Sequence, residues 1–230
     1  MGGKTRLGKE ISSVLKQYAP SDKVKGYLEP FCGSLGVAIH MVDDYHCTVS
    51  DIHKDLIMLW KEIKSGKFRY PPSISKEKWL KYKVSNPSAM RGFIGFSCSY
   101  GGNWYNGYAP DYSSDRNPLN EGIKSLRKKE KYIKKINKIQ CKSYDKWEPE
   151  GLLIYCDPPY KDTSSYSIGN FDCNKFWNIM RKWSKNNVVI ISEFKAPKDF
   201  KCIWKRKRNL IIQTRNHNKT NTEKLFVIRA

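Results

Sequence analysis

The stretch Leu152-Leu153-Ile154-Tyr155-Cys156-Asp157-Pro158-Pro159-Tyr160 constrains the fold more than any other. Its unbroken apolar and aromatic run, preceded by Pro149 and Gly151, predicts a short strand buried on both faces, the kind found in parallel sheets. Pro158 and Pro159 have fixed φ and no N–H, so they cannot extend a sheet ladder and must leave the strand as a stiff, open turn. Asp157 therefore stands at a strand end, where a rigid turn can aim its carboxylate and the neighbouring carbonyls at one small target while Tyr160 offers a flat ring. Such an arrangement suits a planar polar group. Read alone it is equally an ordinary strand-to-loop turn, since Asp-Pro is a common turn opener.

Val24 to Phe31 predicts a second strand, followed at once by Phe31-Cys32-Gly33-Ser34-Leu35-Gly36 and a short helix over Val37, Ala38, Ile39 and Met41. Strand, glycine turn and helix in that order put Gly33 where a ligand can approach the backbone, as in the first crossover of a doubly wound sheet. A further strand, His46 to Ser50, ends at Asp51, about 20 residues on, where a carboxylate can hold ribose hydroxyls. The long glycine fingerprint of dinucleotide enzymes and the G-x-x-x-x-G-K-[ST] phosphate loop are both absent, which leaves an adenosine-containing ligand without a pyrophosphate. Upstream, Leu7, Ile11, Val14, Leu15 and Tyr18 follow a helical period. Gly2-Gly3-Lys4 then lies at a helix N-terminus, either as a seat for an anionic group or as a frayed end with a solvated lysine.

Forty-three Lys and Arg against 22 Asp and Glu give a formal charge of +21, which argues for a polyanionic partner, nucleic acid before anionic membrane. No apolar run is long enough to span a membrane and no leader is recognisable, so a cytoplasmic protein is expected. The seven cysteines are odd in number with no C-x-x-C pair, and the four histidines lack ligand spacing; neither a disulfide framework nor a metal is expected.

Between Lys67 and Tyr112 glycines alternate with aromatics around Arg91, a pattern of either a stacking surface or a small aromatic core. A helix from about Ile123 to Lys142 is expected to turn Ile123, Leu126, Ile133, Ile136 and Ile139 inward. Lys124, Arg127, Lys128, Lys129, Lys131, Lys134, Lys135 and Lys138 would face outward, toward phosphates or simply solvent. A helix over Cys173 to Lys185, a strand over Val188 to Ser192, and a hairpin of Cys202 to Trp204 with Glu223 to Ile228 complete the chain.

Taken together, Gly2-Gly3-Lys4, Phe31-Cys32-Gly33, Asp51, the Gly92 to Asp111 stretch, Asp157-Pro158-Pro159-Tyr160, Ser192-Glu193 and Thr222 to Phe226 resemble the Dam-like (D12 class) DNA adenine-N6 methyltransferases, closest to orphan enzymes of phages and other viruses. The glycine motif departs from that family in being F-x-G-x-x-G rather than F-x-G-x-G. The resemblance implies an α/β, Rossmann-like methyltransferase fold: a mostly parallel seven-stranded sheet with a terminal antiparallel hairpin. Its catalytic domain would span 1–65 and 143–230, with an inserted target-recognition region at 66–142.

It also implies S-adenosylmethionine as cofactor, held by Gly3, Lys4, Phe31, Cys32, Gly33, Asp51, Ile52 and Asp157. Asp157, Pro158, Pro159 and Tyr160 would act on a flipped adenine. Double-stranded DNA would be met by Arg91, Tyr100, Asn103, Trp104, Lys124, Arg127, Lys128 and Arg215, on a monomer or weak homodimer. The same motif geometry would also serve an RNA adenine or a DNA cytosine N4. A protein-glutamine methyltransferase and a catalytically dead DNA-binding protein are disfavoured, the first by the basic charge and the second by the intact Asp51 and Asp157.

Overall fold

The computed structural model describes residues 4–112, 116–159, 171–208 and 221–229. In chain order the main elements are α1 (Gly8–Tyr18), β1 (Gly26–Glu29), β2 (Cys47–Asp51), α2 (Lys54–Lys64), α3 (Lys76–Lys83), α4 (Ala89–Ser97) and α5 (Pro118–Ile133). These are followed by β3 (Lys138–Cys141), β4 (Leu152–Cys156), α6 (Cys173–Trp183), β5 (Val188–Ser192), β6 (Phe200–Arg208) and β7 (Asn221–Ile228).

The seven strands form one sheet in the order β3-β2-β1-β4-β5-β7-β6. The first five run parallel, while β7 is antiparallel to both β5 and β6. The mixed sheet with its antiparallel carboxyl-terminal pair is the architecture expected from the sequence.

The expected central strand is β4, and its burial on both faces has a direct cause. Tyr155 and Leu153 join Tyr27 and Ile190 in the core under α1, α2, α4 and α5. Ile154 and Cys156 join Leu28, Ile191 and Phe226 in the core under α6. Successive side chains point to opposite faces, and both faces are covered, so a continuous apolar run is what this position demands.

Winding reverses between β1 and β4. In open α/β sheets that reversal opens a crevice beyond the carboxyl ends of the strands. The turn after β1, Asp51 at the end of β2, Asp157 after β4 and Glu193 after β5 all lie at this end. Because β7 runs the other way, with Leu225 opposite Ser192, its earlier residue Glu223 projects past the end of β5 into the same region.

One expected element is corrected. The helix ends at Ile133, not Lys142, and residues 138–141 form β3 on the sheet edge, paired with β2. Ile133, Ile136 and Ile139 are spaced in threes, which imitates a helical period. Asn137 decides the matter: its amide N–H donates to the Cys47 carbonyl at 2.9 Å and its side-chain oxygen accepts from the Cys47 N–H at 2.7 Å, docking the chain onto the start of β2. The glycine–aromatic segment resolves in favour of packing, with Trp79, Phe93 and Tyr105 buried in the core shared with the sheet and Tyr100 exposed.

Gly36 explains the departure in the glycine motif. A Cβ on Gly36 would lie 2.9 Å from the Thr5 nitrogen, and one on Gly8 would overlap the Gly36 carbonyl. The two glycines let the start of α1 lie against the turn, which carries the short 3-10 segment Lys4–Arg6 to the crevice. Gly8→Ala is accordingly expected to cost about 3 kcal/mol of stability through overpacking, read as a lower urea midpoint at unchanged m.

Candidate active site

The turn after β1 is held by three different elements. The Cys32 N–H donates to the Ser50 carbonyl at 2.9 Å, and the Gly33 N–H to Asp51 Oδ2 at 3.0 Å. The Gly33 carbonyl accepts from Trp60 Nε1 at 3.0 Å, and the Ser34 carbonyl accepts from Lys129 Nζ at 2.7 Å. Gly33 has φ of +42°, and a Cβ there would meet nothing within 4 Å, so the turn presents bare backbone to open space.

Asp51 does more than stand at a strand end. Its second oxygen accepts from the His53 N–H at 2.9 Å, so one carboxylate ties the turn to the start of α2. Burial raises its carboxyl above the usual range, against the pull of the two N–H donors. Next to it Ile52 is 47% exposed, an apolar side chain left open at the mouth of the crevice. Phe31 packs in an aromatic group with Tyr144, Phe176 and Phe171, its ring centroid 5.0 Å from that of Tyr144.

Lys4, only 5% exposed, donates to Asp157 Oδ1 at 2.8 Å and lies 3.1 Å from Glu223 Oε1. Glu223 is fully buried and also accepts from the Ser192 hydroxyl at 2.7 Å. Burial lowers the Lys4 pKa, but the charges of Asp157 and Glu223 outweigh it and leave the ammonium raised. Two more carboxyls border this group. Burial pushes Glu193 up to about 7, with the Asp157 and Glu223 charges adding to the shift. Burial pushes Glu29 up to about 8, opposed by the Tyr27 hydroxyl, which donates to it at 2.6 Å, and reinforced by Asp157.

The Asp157 and Glu223 carboxylates outnumber the Lys4 ammonium between them, which makes this corner of the crevice locally acidic in a strongly basic chain. Such a place favours a cationic ligand. Among the described residues no group of three or more His, Cys, Asp or Glu side chains could hold a metal ion.

The structure therefore brings together Lys4, Phe31, Cys32, Gly33, Asp51, Asp157 and Pro158 at one end of the sheet, with Ile52 and Pro159 at its rim. Gly3, Tyr160 and Arg215 lie outside the described residues. Of the expected DNA contacts, Arg91 is turned inward: it pairs with Asp55 at 3.2 Å, donates to the Lys83 carbonyl at 3.3 Å and lies over the Trp104 ring. Trp104 packs on His53 and Phe96. Tyr100 and Asn103 are exposed, as are Lys124, Arg127 and Lys128 along a groove of about 1130 Å³ between α5 and the start of the chain.

Lys129, expected to face outward, is buried instead. Its spacing from Leu126 and Ile133, three and four residues, was the available signal, since those positions share one helix face. Trp60 and Glu29 carried no comparable signal, and Glu223 had one only as part of the Thr222 to Phe226 stretch. They act through contacts that no local spacing encodes.

The fold is Rossmann-like, with the strand order and crevice of a methyltransferase. Residues 1–89 match the family of D12 class N6 adenine-specific DNA methyltransferases, a span that holds Lys4, the Phe31-Cys32-Gly33 turn and Asp51. The chain is also 26% identical over 217 residues to the Type II methyltransferase M.MjaIII of Methanocaldococcus jannaschii, covering 75% of this chain and 73% of that protein. Both matches support the DNA adenine methylation expected from the motifs.

The raised carboxyls have a consequence for stability. Glu29 and Glu193 have ordinary values of 4.5, raised to about 8 and about 7 in the fold. Their contribution is complete below the ordinary value and is lost as pH rises through the folded ones. Lys129, lowered to about 8 by burial against the charge of Glu29, is protonated in both states through most of that window and leaves it unchanged. Unfolding free energy is expected to fall by on the order of a few kcal/mol between about pH 5 and about pH 8. Glu29→Gln, which keeps an acceptor for Tyr27, should remove most of that slope in urea titrations across pH.

Proposed function

We propose that this chain transfers the methyl group of S-adenosylmethionine to the N6 amine of an adenine flipped out of double-stranded DNA. The observation that carries the reading is Asp157, held by Lys4 at the switch-point crevice, at the same strand ends as a glycine turn with open space above its backbone. The residues present suit the cofactor. The carboxylates of Asp157 and Glu223 favour its positive charge, Asp51 takes the ribose, Ile52 packs on the adenine, and Lys4 with Gly3 and the Phe31 to Gly33 backbone takes the methionine end.

When bound, S-adenosylmethionine supplies an electrophilic methyl group on a sulfonium. The chain's own part is to prepare the amine. An exocyclic amine is a poor nucleophile because its lone pair is delocalised into the ring. The Asp157 carboxylate and the Pro158 carbonyl would accept its two N–H bonds, draw them out of the ring plane and localise the lone pair; once the methyl has moved from sulfur to nitrogen, the surplus proton would leave by way of the Asp157 carboxylate to solvent. Pro158 and Pro159 supply the stiffness that keeps these acceptors fixed. Tyr160 stacks on the extruded base, which offsets part of the few kcal/mol, roughly, that unstacking costs.

The exposed cations of α5 run along one groove, which supports a phosphate track there. Tyr100, Asn103 and Arg215 are proposed as further DNA contacts. Arg91 and Trp104 then act indirectly, by fixing the shape of the segment that bears Tyr100. Among the described residues no helix is long and apolar enough to cross a membrane. The enzyme is proposed to work in the cytoplasm, that of a host cell if it is viral, as a monomer or weak homodimer.

Incubation with methyl-labelled S-adenosylmethionine and DNA, RNA or neither, followed by digestion, should give N6-methyladenine in DNA alone. Asp157→Ala should abolish the product while DNA binding stays nearly intact; loss of both together would count against the assignment. Lys124→Ala and Lys128→Ala should weaken DNA binding whatever the sequence and lower the salt slope by about one each.

A further inference from the structure

We infer that Lys129 is a positioning residue for the cofactor: its buried ammonium fixes the Ser34 carbonyl and thereby the shape of the turn that receives the methionine end of S-adenosylmethionine. This rests on the reading of the crevice as that cofactor's site.

The turn's other fixed backbone groups are held from nearby in the chain, by Ser50 and Asp51 of β2 and Trp60 of α2. Lys129 arrives from α5, 95 residues after Ser34, and still makes the shortest of the four bonds, at 2.7 Å. It is 5% exposed and shares a helix face with Leu126 and Ile133, both fully buried. An apolar side chain would pack at that position without the cost of desolvating an ammonium, so the lysine is explained by what its head group holds.

The head group also brings a positive charge to the Ser34 carbonyl of the turn that would receive the methionine end of the ligand. The same helix carries the exposed Lys124, Arg127 and Lys128, which line the α5 groove together with the buried Lys129. One rigid element thus presents cations to the phosphate track outside and shapes the cofactor turn inside.

The test uses Lys129→Met, which keeps the length and apolar stem and removes the donor. Titration of S-adenosylmethionine into the whole protein and steady-state kinetics on DNA should show cofactor Kd and KM raised about tenfold, the loss of one charge-assisted hydrogen bond, with kcat and DNA Kd within about twofold. Lys129→Arg keeps the charge with a displaced, planar head and should fall between, with cofactor KM raised about threefold. That variant decides the matter if Lys129→Met does not fold.

Cofactor affinity unchanged while only the melting temperature drops would overturn the inference in favour of a structural lysine. A change confined to DNA affinity would overturn it in favour of a phosphate contact. A wild-type protein that bound no S-adenosylmethionine would refute the underlying site reading, an outcome separate from either.

Discussion

The ammonium of Lys4 lies between Asp157 and Glu223, at 2.8 and 3.1 Å, almost cut off from solvent. Buried charges persist only when paired and hydrogen-bonded, and removing one partner leaves the others uncompensated. The surrounding fold is arranged to bring these three groups together. The glycine contact between α1 and the Ser34 to Gly36 turn delivers Lys4, the proline-stiffened end of β4 delivers Asp157, and the antiparallel β7 delivers Glu223. Ser192 then holds the far acid in place. Three segments remote in the chain meet at one ion group, and the crevice takes its charge from it.

That charge runs against the rest of the molecule. The exterior is basic, with a formal +21, whereas the crevice sets the Asp157 and Glu223 carboxylates against the ammonium of Lys4, with Glu193 and Glu29 raised to about 7 and about 8 beside them. A basic outer surface draws a polyanion to the protein; an acidic interior discriminates in favour of a small cation and against phosphate. α5 serves both regions: its exposed cations line the groove, and Lys129, at the buried wall of the same groove, donates to the Ser34 carbonyl of the turn.

The second glycine of F-x-G-x-x-G shows how a motif can be read correctly and explained incompletely. Gly33 is free at its Cβ position and serves the open side of the turn. Gly36 serves the other side, where the start of the chain packs against it. A single short motif therefore answers to a ligand and to a neighbouring segment at once.

The sequence by itself determined β1, β2, β4 and β5 and the kind of residue at their ends. Alternation and unbroken apolar runs report burial on one or both faces, and prolines and glycines act on the residues next to them, so β1, β2, β4 and β5 and the placement of Phe31, Gly33, Asp51 and Asp157 were legible. Only the tertiary structure decided who holds whom. Residues 134–141 leave the helix because Asn137 bonds to Cys47, 90 residues away; Lys4 reaches Asp157 across 153. Arg91 is consumed by Asp55, and Lys129 turns inward to Ser34. Each of these is a pairing of polar groups made favourable by burial. Burial is a property of the assembled layers, which no local pattern contains.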